Sequence, residues 1–199
     1  MTNVAPPPGE AILLRNFFAG DEAAFHQLFA RYNHKLIVYA SKILGDRSQA
    51  EDAIQETWIK LIDRRDKSDR IENVVGYLFQ IARNCCFDRI RSAKDHADIT
   101  TLSETEHPVT RQAEPSELEE IVLIAFSELS AEDRELLSLN IYAGFQYDEI
   151  AVMQQKNAQA IWTKASRVRA KLRERVRYHA RKQGLSLEDD TTLSGGHRS

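Results

Sequence analysis

Gln159, Thr163 and Arg167 stand four residues apart in AQAIWTKASRVRAKLR, so on a helix an amide, a hydroxyl and a guanidinium share one face. That is nucleic-acid chemistry: an amide can bridge a base edge and a guanidinium can meet a phosphate. Ala160 lies on the same outward face, with Lys164 and Lys171 to one side. From Lys156 to Lys182 there are ten Lys or Arg against one acid, Glu174. A second basic surface lies in YLFQIARNCCFDRIRS. With Tyr77, Leu78, Ile81, Ala82 and Cys85 turned inward, Arg83, Asn84, Asp88, Arg89 and Arg91 are left for solvent or a ligand. The loop ahead adds Arg64, Arg65, Lys67 and Arg70. Such a set could hold a single strand, with Tyr77 and Phe79 serving as core rather than as stacking platforms.

These side chains need helices to hold them. Apolar residues recur at threes and fours through Phe25, Leu28, Phe29, Tyr32, Leu36, Ile37, Ala40, Ile43 and Leu44. Asp21 is the expected cap of that helix and Gly45 its stop. Ser48 and Glu51 form an S-x-x-E pattern that predicts the start of the next helix, where Ala50, Ala53, Ile54, Trp58 and Leu61 make the inner stripe. Asp52, Gln55, Glu56 and Lys60 then face outward, a short stripe that by itself reads as a solvated face. A third helix is expected from about 74 to 92.

Between Asp95 and Glu120 eight acids stand against Arg111 alone, without apolar periodicity, as in a linker. Ser116 with Glu119 predicts a second capping box, followed by helices near 116–128, 131–143, 147–153 and 158–182. Gly144 suits the end of the second of these and Asn157 the N-cap of the last. The inner stripe of the last helix is Ile161, Ala165, Val168 and Leu172. The expected fold is therefore all-α. Two small helical domains, 10–93 and 116–182, are joined by an acidic flexible linker at 94–115, and the second contains a helix-turn-helix. The tail 183–199 has few apolar residues and is expected to lack fixed structure.

Composition excludes several classes. No apolar run approaches the roughly 18 residues of a membrane span, and the N-terminus lacks the regions of a signal peptide, so a cytoplasmic protein without membrane insertion is expected. Cys85 and Cys86 are adjacent and point about 100° apart on a helix, which suits small core residues and neither a disulfide nor a metal clamp. No metal-ligand spacing, nucleophile motif or glycine-rich phosphate loop occurs. The expectation is a binding protein with no catalytic residues, metal or cofactor.

AEDAIQETWIKL, then YLFQIARNCCFDRIRS, then LSAEDRELLSLNIYAGFQYDEIA followed by ASRVRAKLR, resemble in order and spacing the extracytoplasmic-function sigma factors of bacterial RNA polymerase. The resemblance covers about residues 10–178. It implies that Asp52, Gln55 and Glu56 contact core RNA polymerase. It implies that Arg83, Asn84, Arg89 and the 63–73 loop, with Arg65, Lys67 and Arg70, capture the promoter minus-ten element. The second domain would read the minus-thirty-five element through Asn157, Gln159, Ala160, Thr163, Lys164, Arg167 and Lys171. The acidic linker would lie in the polymerase cleft, and an anti-sigma factor would be the regulator.

The chain departs from the family pattern at its turn. Gln155 stands where glycine is usual, Lys156 where an apolar residue is usual, and Gln146 where Ser or Thr often caps. A left-handed Gln155 would cost about 1–2 kcal/mol. Trp162 replaces a commonly basic or polar residue and reads as packing. Two other readings remain at this level: a helix-turn-helix regulator that works without polymerase, and a sigma mimic that sequesters an anti-sigma factor.

Overall fold

A computed structural model describes residues 8–64, 73–97 and 116–185. Among the described residues the regular structure is eight helices and no strand. The first group is α1 (Pro8–Phe18), α2 (Glu22–Leu44), α3 (Arg47–Asp63) and α4 (Val74–Ala97). The second is α5 (Glu117–Ser127), α6 (Ala131–Ile141), α7 (Tyr147–Met153) and α8 (Ala158–Lys182).

Local chemistry sets most boundaries. The Asp21 carboxylate accepts from the Ala23 and Ala24 N–H groups, and Gly45 ends α2 in the left-handed region at φ 77°. The Ser116 and Glu119 box is formed at α5, and Asn157 caps α8 by accepting from the Gln159 and Ala160 N–H groups. Gly144 turns the chain after α6 at φ 81°.

Three expectations change. The N-cap of α3 is Asp46, which accepts from the Gln49 N–H at 2.8 Å. Ser48 lies inside the first turn instead, and Glu51 pairs with Arg47. Asp46 wins because its carboxylate both reaches the free N–H and favours the positive helix end. Next, α4 continues to Ala97, past the expected end near 92 and into the segment read as linker. Last, α1 is a helix that the periodicity argument did not propose; Leu13, Leu14 and Phe17 bury its inner face. The remainder of the linker, 98–115, and the tail beyond 185 lie outside the described residues.

The first group packs around Leu28, Leu36 and Ile43 of α2, Ile54 and Leu61 of α3, and Leu78 and Cys86 of α4. Trp58 edges onto Phe25, and its indole N–H donates to Asn33 Oδ1 at 2.9 Å, so the buried ring has its polar tip satisfied. Cys85 and Cys86 are buried free thiols, as expected of core residues. The second group has a smaller core of Phe126, Leu129, Leu137 and Val168, with Leu172 against it.

The two groups are joined by α6, which packs on α2. Leu136, Leu139 and Phe145 belong to the same apolar cluster as the first group. Tyr39, Phe79 and Phe145 stack edge to face in series, with centroids 5.1 and 5.2 Å apart. Arg134 donates to the carbonyls of Ser127, Leu129 and Ile43. One guanidinium thus closes the C-terminal ends of α5 and α2, where the helix dipoles favour a cation.

Candidate polymerase and nucleic-acid interfaces

The α3 stripe stands as its periodicity requires. Ala50, Ala53, Ile54, Trp58 and Leu61 are buried, while Asp52, Gln55 and Lys60 are exposed. Glu56 is half-buried and bridges two neighbours, Lys60 at 2.8 Å and Arg89 of α4 at 3.5 Å. The exposed end of that face is therefore Asp52 and Gln55, with Glu56 partly neutralised. Lys60 has its pKa raised, chiefly by its hydrogen bond to Glu56, so it stays a cation.

On α4 the buried side chains are Val74, Leu78, Phe79, Ile81, Ala82, Cys85 and Cys86, and Tyr77 is half-buried with the Arg64 guanidinium over its ring at 5.7 Å. Asn84 is exposed. Arg83, by contrast, is not left to solvent: its Nε donates to Glu135 Oε1 of α6 at 2.7 Å, and its guanidinium lies 4.6 Å from the Phe87 ring centroid. The reason is a carboxylate that the sequence reading missed. Glu135 is 1% exposed, and Gln154 Nε2 also donates to it at 3.1 Å. Burial pushes the Glu135 carboxyl above its ordinary value, against the opposing pull of Arg83. A signal was present in RELLSLNI, where Glu135 shares a helix face with the apolar Leu139, but nothing local says what would cover that face. Arg65, Lys67 and Arg70 lie outside the described residues.

The helix-turn-helix is α7, a four-residue turn and α8. Gln155 takes φ 53°, so the left-handed conformation whose cost was considered for this position is the one adopted, and Lys156 N–H bonds back to Ala151 O at 2.8 Å. At the front of α7, the Gln146 N–H donates to the Glu149 carboxylate at 2.7 Å, the bond by which an N3 glutamate reaches back to the N-cap backbone. Ile161, Ala165 and Val168 are buried and Leu172 is half-buried, so α8 is seated as expected. Gln159, Ala160 and Arg167 are exposed, and Thr163 is half-buried with its hydroxyl on Gln159 O. Lys164 and Lys171 lean toward Asp133 of α6, each at 3.5 Å. Trp162 packs on Tyr147, centroids 4.8 Å apart, and its N–H donates to Asp148 at 3.1 Å, consistent with a packing role. Asn157 is engaged in capping and presents only what remains of its amide.

Taken together, the geometry offers two basic surfaces, on α4 and on the front of α8, and one acidic-polar face on α3. Among the described residues no group of three His, Cys, Asp or Glu side chains could hold a metal ion, and no helix is long and apolar enough to cross a membrane.

Comparison with known proteins gives a concordant picture. Residues 28–96 match the family model described as Sigma-70 region 2, which spans most of α2, all of α3 and nearly all of α4. The chain is 30% identical over 164 residues to the ECF RNA polymerase sigma factor SigM of Mycobacterium tuberculosis (strain ATCC 25618 / H37Rv), covering 82% of each. It is 25% identical over 163 residues to the RNA polymerase sigma factor CarQ of Myxococcus xanthus, covering 81% of this chain and 94% of that one. Among solved structures it is similar to the sigma factor RpoE of Bartonella quintana, co-crystallised with the anti-sigma factor NepR. That likeness has a TM-score of 0.64 at 26% identity and covers 77% of this chain and 96% of that chain.

Proposed function

The chain belongs to the extracytoplasmic-function sigma factors of bacterial RNA polymerase, and from that premise we propose how its surfaces divide the work. As a sigma factor it directs transcription initiation, and its relatives by name are sigma factors rather than enzymes. Residues 10–93 form the unit that binds core polymerase and the minus-ten element. Residues 116–182 form the unit that reads the minus-thirty-five element, with 94–115 between them and 183–199 as a tail. Asp52, Gln55 and Glu56 on α3 meet core polymerase. Arg83, Asn84 and Arg89, with Arg65, Lys67 and Arg70 of the preceding loop, capture the melted strand.

On α8 the first turn does the reading. Gln159 presents an amide suited to adenine, Ala160 and Thr163 supply apolar and hydroxyl contacts, and Arg167, Lys164 and Lys171 meet phosphates while Asn157 fixes the helix start. The chain performs no chemistry in this reading; binding free energy selects the promoter and holds the strand. An anti-sigma factor is the regulator, by likeness to the Bartonella quintana protein crystallised with one. Location in the cytoplasm follows from work on the chromosome.

The observation that carries the reading is the region 2 match across α3 and α4, the helices that bear the exposed Asp52, Gln55 and Asn84. Run-off transcription tests it. Purified core polymerase with this chain is expected to initiate at discrete sites on genomic fragments. Asp52→Arg combined with Glu56→Arg is expected to abolish co-purification with core while helix content stays the same. Unchanged co-purification would remove α3 as the polymerase face.

A further inference from the structure

The front of α8 accounts for only part of its charge. Gln159 and Arg167 lie about 12 Å apart along the axis, which matches the width of a major groove, but the helix runs on for about 22 Å to Lys182. Along that further length stand Arg173, Arg177 and Arg181, four residues apart on one exposed face, with Glu174 the only acid between Arg173 and Lys182. We propose that this ridge is the docking site of the chain's own acidic segment, Glu188, Asp189 and Asp190, and that the docked segment keeps α8 from holding duplex DNA without reading it. The proposal rests on the DNA-reading role given to α8, but docking itself can be measured without DNA.

Three observations support it. The first is the ridge. Like charges at every fourth position repel each other along a helix. The dipole at the C-terminal end of α8 offsets this for Arg181 and Lys182 in the last turn, but its effect fades before Arg173. On the neighbouring side Arg175 and His179 reach Glu128, at 3.1 and 2.8 Å. Arg173 is exposed and has no such carboxylate among the described residues.

The second is the direction in which the chain leaves the helix. Gly184 takes φ 76°, its N–H bonds to Arg181 O at 3.1 Å, and the Leu185 N–H bonds to Ala180 O at 2.9 Å, the paired bonds of a Schellman motif. The motif reverses the chain. Leu185, half-buried, therefore lies level with Ala180, which is 1% exposed, rather than beyond the end of α8.

The third is reach and charge. From Leu185, Glu188 is about 10 Å of extended chain away and Asp190 about 16 Å. Measured back along α8 from the level of Ala180, Arg177 is about 5 Å away and Arg173 about 10 Å. The acids thus fall within reach of both guanidinium groups, and no Lys or Arg stands between Gly184 and His197 to oppose them. So short a tether gives the segment an effective concentration of about a millimolar or more, which suffices to populate weak carboxylate–guanidinium contacts. The consequence is selective. A duplex lying along the ridge would be held by its phosphates alone, whatever its sequence. The docked segment occupies those cations and leaves Gln159, Ala160 and Arg167 exposed at the front.

A nitroxide at Thr191→Cys on the full chain tests docking, the native thiols being buried. In about 50 mM salt it is expected to broaden the backbone amide signals of Ala170 and Arg173 and to spare those of Asp52 and Gln55 on α3. Glu188→Gln, Asp189→Asn and Asp190→Asn together are expected to reduce the broadening to the level seen in about 500 mM salt, where the contact is screened, with helix content unchanged. Without the label, the same triple variant is expected to bind a random-sequence duplex of about 20 base pairs about tenfold tighter than the parent, as it would if the segment held the ridge in about nine chains of ten. When Arg173→Gln and Arg177→Gln are already present, neutralising the acids is expected to change duplex affinity by less than about twofold. Broadening in the parent no greater than in the triple variant would overturn docking. Broadening seen only between separate spin-labelled and isotope-enriched chains would give the ridge to a second copy and overturn it equally. If the segment docks but parent and triple variant bind the random duplex alike, the screening role is overturned. If neither binds any duplex, α8 fails as a reader while docking stands.

Discussion

Helices α4 and α8 are both rich in basic side chains, yet the fold treats them differently. On α4, Arg83 is bonded to Glu135, Arg89 reaches Glu56, and Arg91 pairs with Asp88. On the front of α8, Gln159, Ala160 and Arg167 stand exposed, and the cations that are paired, Lys164 and Lys171, sit 3.5 Å from one carboxylate at the side. The same charge pattern in sequence thus yields one occupied surface and one open surface. Charge decides what a helix can bind; packing decides whether it is free to do so.

Alkaline pH should separate the two regions by the largest margin. Burial pushes the Cys86 thiol of α4 up to about 12, and the Tyr39 phenol beside α4 is also held well above its ordinary value by burial. A folded-state pKa raised above the unfolded one means that the folded chain holds the proton longer. The associated stability is complete below the unfolded value and is lost as pH rises through the folded one. Thermal midpoints should therefore fall from about pH 9 upward, and Cys86→Ala should flatten part of that slope. The front of α8 carries no comparable buried acid, so substitutions there should leave the slope unchanged. A parental slope in Cys86→Ala would show that this thiol is not protected by burial.

Next in size is a contrast between Gln159 and Arg167 within α8. Gln159→Ala should cost about 1–3 kcal/mol on the cognate upstream element alone, relaxing preference at one base position. Arg167→Ala should weaken cognate and scrambled duplexes by similar factors and lower the salt slope by about one. Equilibrium titration at several salt concentrations distinguishes them. Equal losses on both duplexes for Gln159→Ala would make α8 a phosphate clamp rather than a reader.

The smallest effect concerns the turn. Gln155→Gly relieves a left-handed side chain and should raise stability by about 1 kcal/mol, read as a modest rise in the melting midpoint, with sequence preference unchanged. A fall instead would mean that the Gln155 side chain stabilises the turn by more than its backbone costs.

Much of this was legible in sequence because it is local. Asp21, Gly45, Ser116, Asn157 and Gly144 act within a turn of themselves, so their roles follow from spacing, whereas the positive φ of Gln155 was raised only because glycine is usual at that position in the family. Ser48 misled because Asp46, two residues earlier, offered the better acceptor at the same helix end. Helix α1 was missed because PGEAILLRNFF opens on proline and glycine and owes its helix to burial of Leu13, Leu14 and Phe17. Of the site, the outward faces of α3 and α8 could be read from helical period. The engagement of Arg83 could not, since its partner is 52 residues distant and nothing in YLFQIARNCCFDRIRS specifies it.

The two tryptophans of the chain fall one to each helix group, in opposite surroundings. Trp58 is 4% exposed within an aromatic cluster, whereas Trp162 is 44% exposed against Tyr147 at the surface that faces DNA in the proposed reading. Their emission should therefore differ in colour and in access to a soluble quencher, so that each half carries its own optical reporter. A duplex settling on α8 would shield the second indole and leave the first unchanged, and unfolding of the α1–α4 bundle would do the reverse.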